Sequence, residues 1–145
     1  MLRAMASRDS YLDHLSSVPL FAACSRRELQ KIAKASDEHV FPAGSVLVEQ
    51  GDTGRECYII LEGSAAVKRS NRKVATVGAG DTIGELSLLD HGPRTATVVA
   101  ETDLRVLVLG SREFAGVLEE VPSLARKMMG ALATRVRELD TKAFG

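Results

Sequence analysis

The chain of 145 residues reads as a mainly β fold with flanking helices. Three observations predict this. Short runs rich in β-branched residues recur between residues 46 and 109, glycine-bearing turns separate them, and the segments on either side carry the three- and four-residue apolar spacing of helices.

Residues 1–36 form the first helical part. Tyr11, Leu12 and Leu15 mark a short helix that ends near Pro19. Ser25-Arg26-Arg27-Glu28 is a capping box: the serine can satisfy the amide three residues on, and the glutamate can reach back. Leu29, Ile32 and Ala33 then give an apolar face. Residues 37–110 read as strands. Val46 to Glu49, Cys57 to Leu61, Ala65 to Val67, Val74 to Val77, Thr95 to Val99 and Leu104 to Leu109 alternate with turns at 42–44, 51–54, 62–64 and 78–81. That spacing predicts a jelly roll or a barrel-like sandwich. Residues 111–140 are helical again. Ser111 is the expected N-cap of REFAGVLEE, and Pro122 suits a helix start. Val121, Leu124, Ala125, Met128, Leu132, Val136 and Leu139 then recur as a stripe over about five turns. The stripe either packs on its own domain or offers a partner surface.

Composition narrows the function. One domain suits the length. Apolar residues make up 45%, against the low hydrophobicity of a disordered chain. Nineteen acids balance 19 bases, so the footprint of a nucleic-acid binder is missing. No apolar run reaches membrane-spanning length, and MLRAMASRDS has no secretory core, so a cytoplasmic protein is expected. Cys24 and Cys57 lie in apolar contexts and are expected to be buried free thiols. His14, His39 and His91 are scattered, with no HxH pair, so no metal site is expected.

One stretch breaks the β pattern: GELSLLDHGPRTATVVA, residues 84–100. Gly84-Glu85 is expected to open a single helical turn, whose first amides lack internal partners and favour an anion. Glycine permits close approach, and Ser87 adds a hydroxyl. Leu86, Leu88 and Leu89 offer anchors to the core. Pro93 stiffens the chain before Arg94 and Thr95, which are expected to open the next strand. A guanidinium at Arg94 fits two phosphate oxygens, and Thr95 can add a hydroxyl. Glu85 repels an anion and so serves a neutral donor, such as a ribose hydroxyl. One arginine balances one negative charge, which suits a phosphodiester. The plainer alternatives stay open: a glutamate complementing a helix dipole and a solvated surface arginine.

GDTIGELSLLDHGPRTATVVA resembles the phosphate-binding cassette of the cyclic nucleotide-binding domain, the ligand module of bacterial catabolite activators, protein kinase A regulatory subunits and nucleotide-gated channels. The cassette pattern is met by Gly84, Glu85, Leu86, Ser87, Leu88, Leu89, Arg94, Thr95 and Ala96. VPLFAACSRRELQKIA, FPAGSVLVEQGDTGRECYIILEGSAAV and SREFAGVLEEVPSLA extend the likeness from Tyr11 to roughly Asp140. The resemblance implies an eight-stranded β-roll with N-terminal helices, a short cassette helix within 84–97 and a C-terminal helical pair. It implies that Arg94 binds the exocyclic phosphate oxygens and that Glu85, with Gly84 beside it, takes the ribose 2′-hydroxyl. The amides near Leu86 and Ser87 complete the phosphate cradle, and Thr95 touches the phosphate or the purine edge. Ser87 departs from the usual alanine or glycine. Leu139 and Asp140 stand at base-contacting positions where the catabolite activators carry hydroxyl residues. A hydroxyl after the arginine is associated with cGMP preference in some eukaryotic relatives, but bacterial cAMP receptors carry it too. The arginine-over-lysine, alanine-rich composition looks bacterial and favours cAMP.

The expected function is that of a non-catalytic cyclic nucleotide sensor acting on a protein effector and moving its C-terminal helices. The chain is either a stand-alone sensor or a domain of a larger protein. It stops at TKAFG after the long helix, so direct DNA binding is not expected. Monomer and homodimer through the last helix are both open. Two rivals remain: a degenerate domain kept for dimerisation or docking, whose mark is a broken cassette, and a cupin-type metalloenzyme, which needs clustered histidines.

Overall fold

Two-residue alternation organises the molecule. In the computed structural model, which describes residues 11–144, eight antiparallel strands form two sheets of four. They are β1 (Asp37–Phe41), β2 (Val46–Val48), β3 (Glu56–Glu62), β4 (Ser64–Arg69), β5 (Arg72–Gly78), β6 (Thr82–Ile83), β7 (Thr97–Ala100) and β8 (Leu104–Gly110). One sheet runs β1-β8-β3-β6 and the other β2-β7-β4-β5. Tyr58 and Ile60 of β3, with Leu104 and Val106 of β8, face the interior of the roll alongside Leu47, Val48, Ala65, Ile83 and Val98. The residues between them, Cys57, Ile59, Leu61, Leu107 and Leu109, face a second core under the helices. Both central strands therefore carry unbroken apolar runs, Cys57–Leu61 in β3 and Val106–Leu109 in β8, because the sheet is covered on both sides.

The helical layer comprises α1 (residues 11–16), α2 (Arg26–Ala35), α3 (Ser87–Asp90), α4 (Ser111–Glu120) and α5 (Ser123–Phe144), with a 3-10 turn at Pro19–Phe21. Phe21 and Phe114 stack at 5.8 Å between centroids, and Leu15, Ile32 and Leu124 close the same core. Burying either ring stabilises by about 1.5–3 kcal/mol. The capping box forms as the sequence predicts. Ser25 Oγ accepts from the Glu28 amide at 3.2 Å, and Glu28 Oε1 accepts from the Ser25 amide at 2.8 Å. Glu28 also accepts from Ser123 Oγ at 2.6 Å and from Lys127, tying α2 to α5. The Lys127 ammonium, then Ser123 and Ser25, hold its carboxyl at about 2, below the ordinary 4.5.

Several elements differ from the sequence reading. β1 and β6 were not among the strands read from composition: β1 is largely exposed and mixed in character, and β6 has two residues. Gly110, not Ser111, is the N-cap of α4, because the Ser111 amide is spent on the Arg55 carbonyl at 2.8 Å as β8 ends. Along α5 the stripe divides: Leu124 and Met128 are buried, whereas Val136 and Leu139 are each 64% exposed. Cys57 is buried and free, but Cys24 is only half-buried. No helix among the described residues is long and apolar enough to cross a membrane.

Candidate ligand-binding site

Arg94 does not open a strand. Residues 92–94 run against the 51–54 turn: the Gly54 amide donates to Gly92 O at 3.0 Å, Arg94 N to Asp52 O at 2.7 Å, and the Gly51 amide to Arg94 O at 2.9 Å. Pro93 has no amide to offer and bridges Thr53 between these bonds. Thr95 and Ala96 form a bend, and β7 starts only at Thr97. The early pairing fixes the Arg94 backbone before the sheet begins.

The cassette helix also starts later than Gly84-Glu85. Gly84 has φ +71°, a left-handed conformation that cannot continue into a helix. Its carbonyl accepts from the Ser87 amide at 3.0 Å, so that amide, expected to face a phosphate, closes the turn. Among the described residues the amides of Glu85 and Leu86 have no protein acceptor. Leu88 anchors α3 in the core, while Leu86 and Leu89 are largely exposed. His91 ends the helix in the left-handed region and is exposed.

Gly84 is required for a second reason. A Cβ there would lie 2.1 Å from Arg94 Nη1, because the guanidinium passes directly beneath the backbone. Arg94 Nη1 donates to Ser87 Oγ at 3.1 Å, and Nη2 donates to the Glu56 carbonyl at 2.8 Å. The Tyr58 ring lies below, its centroid 5.9 Å from the guanidinium carbon. Gly54 leaves room for Ser87, since a Cβ there would stand 2.3 Å from Ser87 Oγ. Among the described residues Arg94 forms no ion pair; its partners are neutral and leave donors free.

Glu85 faces the same space. Its side chain is 11% exposed, and Oε1 accepts from Arg135 Nη2 of α5 at 2.6 Å. Among the described residues Oε2 is buried without a hydrogen-bond partner, an arrangement that is costly unless a donor arrives. Burial, followed by the Glu85 carboxylate, pushes the Cys57 thiol up; burial and then Glu56 raise Tyr58.

These groups line one cavity of about 580 Å³. Gly84, Glu85, Leu86, Ser87, Arg94 and Thr95 form one side, Val48, Val67, Val77, Ile83 and Val98 supply apolar wall, and Arg69 and Arg135 reach it from β4 and α5. A groove of about 620 Å³ between residues 19–23 and α5 shares only Arg135 with it and contains none of the cassette. Leu139 and Asp140 do not line the cavity. They lie on an exposed stretch of α5, and the residue that reaches the site is Arg135, one turn earlier. The sequence reading missed Arg135; the available signal was a cation four residues before Leu139, on the helix assigned to the base.

The family described as the cyclic nucleotide-binding domain matches residues 38–121. The chain belongs to this family. Over 141 residues, 97% of the chain, it is 33% identical to a cAMP-dependent protein kinase regulatory subunit of Hypocrea atroviridis, covering 30% of that protein. It is 31% identical to the cyclic AMP receptor protein of Thermus thermophilus over 84% of the chain and 59% of the relative. A solved N-terminal domain of a transcriptional regulator from Streptomyces coelicolor A3(2) superposes with a TM-score of 0.83 at 34% identity, over 88% of this chain and 95% of that one. The chain spans about a third of the length of the kinase regulatory subunits it matches. The matched stretch contains both Glu85 and Arg94, and among the described residues no cluster of three or more histidine, cysteine or acidic side chains could hold a metal.

Proposed function

We propose that this domain binds a cyclic nucleotide, cAMP, as a regulatory sensor and performs no reaction on it. One observation carries the reading: a single cavity contains a guanidinium with no anionic partner, Arg94, and a buried carboxylate oxygen with no donor, Glu85 Oε2. A ligand that satisfies both needs one negative charge and a hydroxyl nearby. The phosphate and ribose 2′-hydroxyl of a cyclic nucleotide meet that demand, with the free amides of Glu85 and Leu86 adding to the phosphate cradle. Thr95 stands exposed at the rim, within reach of phosphate or purine edge. The names of the relatives, a kinase regulatory subunit and a receptor protein, support cAMP and a regulatory role through a protein effector.

Arg135 supplies the link to motion. Its pairing with Glu85 joins α5 to the cassette, so a ligand hydroxyl arriving at Glu85 alters a contact that holds the helix. Ligand then favours the arrangement of α5 that binds it better. Calorimetric titration of cAMP and cGMP into wild type, Arg94→Ala and Glu85→Ala tests the binding; absence of heat with either nucleotide at millimolar concentration sinks the proposal. Hydrogen exchange over residues 111–140 tests the motion, which fails if protection is equal with and without saturating cAMP.

A second reading, as a dimerisation or docking module, is favoured by the exposed side of α5. Met129, Val136 and Leu139 are more than 60% exposed at spacings of seven and three, and a second α5 could cover them. Light scattering with and without cAMP separates a monomer from this homodimer. A docking module without a ligand would leave the charged cavity unexplained.

A further inference from the structure

Away from the ligand groups, the end of the β4–β5 hairpin has an unusual charge arrangement. Its sequence is Lys68-Arg69-Ser70-Asn71-Arg72-Lys73, in a chain of zero net charge. Ser70 and Asn71 take φ of 50° and 68° and make a tight two-residue turn. The register sets Lys68 opposite Lys73 and Arg69 opposite Arg72. Like charges directly opposed across strands destabilise a hairpin. Lys73 is relieved by Glu101 at 2.9 Å, but among the described residues Lys68, Arg69 and Arg72 form no ion pair. Protection of a sheet edge calls for cations on the outer strand; it does not account for cations on both strands facing each other.

This end is connected to the cavity by two routes. Arg69 itself lines the cavity wall. The Ser70 amide donates to Gln50 Oε1 at 3.0 Å, the Gln50 amide donates to Thr97 Oγ1 at 2.9 Å, and the next residue, Gly51, donates to Arg94 O at 2.9 Å. The hairpin end and the Arg94 segment are thus held by the same short loop.

We propose that the β4–β5 hairpin end is a docking surface for an acidic segment of a partner protein, and that cavity occupancy alters it through Arg69 and Gln50. Side chains alternate along the strands, so Lys68 projects from one face of the hairpin and Arg69 and Arg72 from the other, and the three unpaired cations flank an end about 5 Å wide. That matches a few carboxylates on an extended segment. Duplex nucleic acid presents a charge about every 1.7 Å and is held by many phosphate contacts. Anionic membranes are read by clusters of about four to eight cations. This patch falls short of both. The docking stands independently of the nucleotide; only its coupling to the cavity rests on the proposed function.

The test uses fluorescence anisotropy of a fluorescein-labelled decapeptide of alternating glutamate and glycine, titrated with the full chain at low and at physiological salt. Lys68→Glu with Arg72→Glu should weaken binding at least tenfold, whereas Arg27→Glu with Lys34→Glu, the same charge change on the exposed side of α2, should stay within twofold. Equal losses in the two variants would mean only global charge and would overturn the proposal. So would tighter binding of wild type to a labelled oligothymidylate or to phosphatidylserine vesicles, if lost in the hairpin variant. Saturating cAMP, once its own binding is verified by calorimetry, should shift peptide affinity at least threefold in wild type and less in Gln50→Ala. An unchanged affinity would overturn the coupling and leave the docking. Absence of cAMP binding with intact peptide binding would mark failure of the nucleotide reading instead.

Discussion

Replacing Gly84 by alanine removes no group that meets a ligand, yet it should cripple binding. Two costs follow from the geometry. The residue sits at φ +71°, where a non-glycine residue is destabilised by about 1–2 kcal/mol. For a domain of this size that lowers the melting temperature by about 2–8 °C. The added Cβ would also lie 2.1 Å from Arg94 Nη1. The guanidinium is the far end of a flexible side chain, so the fold can yield by moving it. Moving it abandons the bonds to Ser87 Oγ and the Glu56 carbonyl that aim it into the cavity. Outright loss of Arg94 should cost about 2–4 kcal/mol of binding, which is about 30- to 1,000-fold in Kd. Gly84→Ala should approach the lower part of that range. Gly80→Ala is the control: its φ is +91°, nothing lies within 4 Å of the added carbon, and it does not line the cavity. Both variants should melt lower by similar amounts; only Gly84→Ala should lose cAMP affinity by calorimetry. If the two bind cAMP within twofold of each other, the argument that Gly84 positions Arg94 is wrong.

Acid stability should report Glu28. Its carboxyl is held at about 2 against 4.5, so its contribution is full above about pH 4.5 and disappears as pH falls toward 2. Glu28→Gln should be less stable than wild type by about 1–2 kcal/mol near neutrality, and thermal melts should show that gap closing toward pH 2.5; a constant gap would refute the assignment. Arg135→Ala, which breaks a partly exposed pair worth about 0.5–1 kcal/mol, should speed amide exchange along α5 about two- to fivefold without ligand. Unchanged exchange would show that the pair does not hold the helix. Both thiols should resist alkylation at pH 8, since burial, then Glu28, raises Cys24 to about 11 and burial raises Cys57 further. Fast labelling of native Cys57 would contradict its burial.

The roll was legible because its central strands combine β-branched runs with glycine turns, and the α2 cap because its partners are three residues apart. β1 was hidden by exposure and mixed polarity: sheet pairing through its backbone, not an apolar face, makes Asp37–Phe41 a strand. Within the site, Arg94 and Glu85 could be separated by charge alone, one suited to an anion and the other to a neutral donor.

Local chemistry, which reads along the chain, therefore determined the fold class and set Glu85 and Arg94 apart, and the resemblance named the cassette. Contacts between distant segments were decided only in three dimensions. The pairing of 92–94 with 51–54 delays β7 and fixes Arg94, and Gly54 makes room for Ser87 from thirty-three residues away. Arg135 reaches Glu85 across fifty positions because α5 packs against the 3-10 turn at Pro19–Phe21 and against α4. No spacing rule in the sequence carries that distance; it is set by how the two cores of the central sheet are filled.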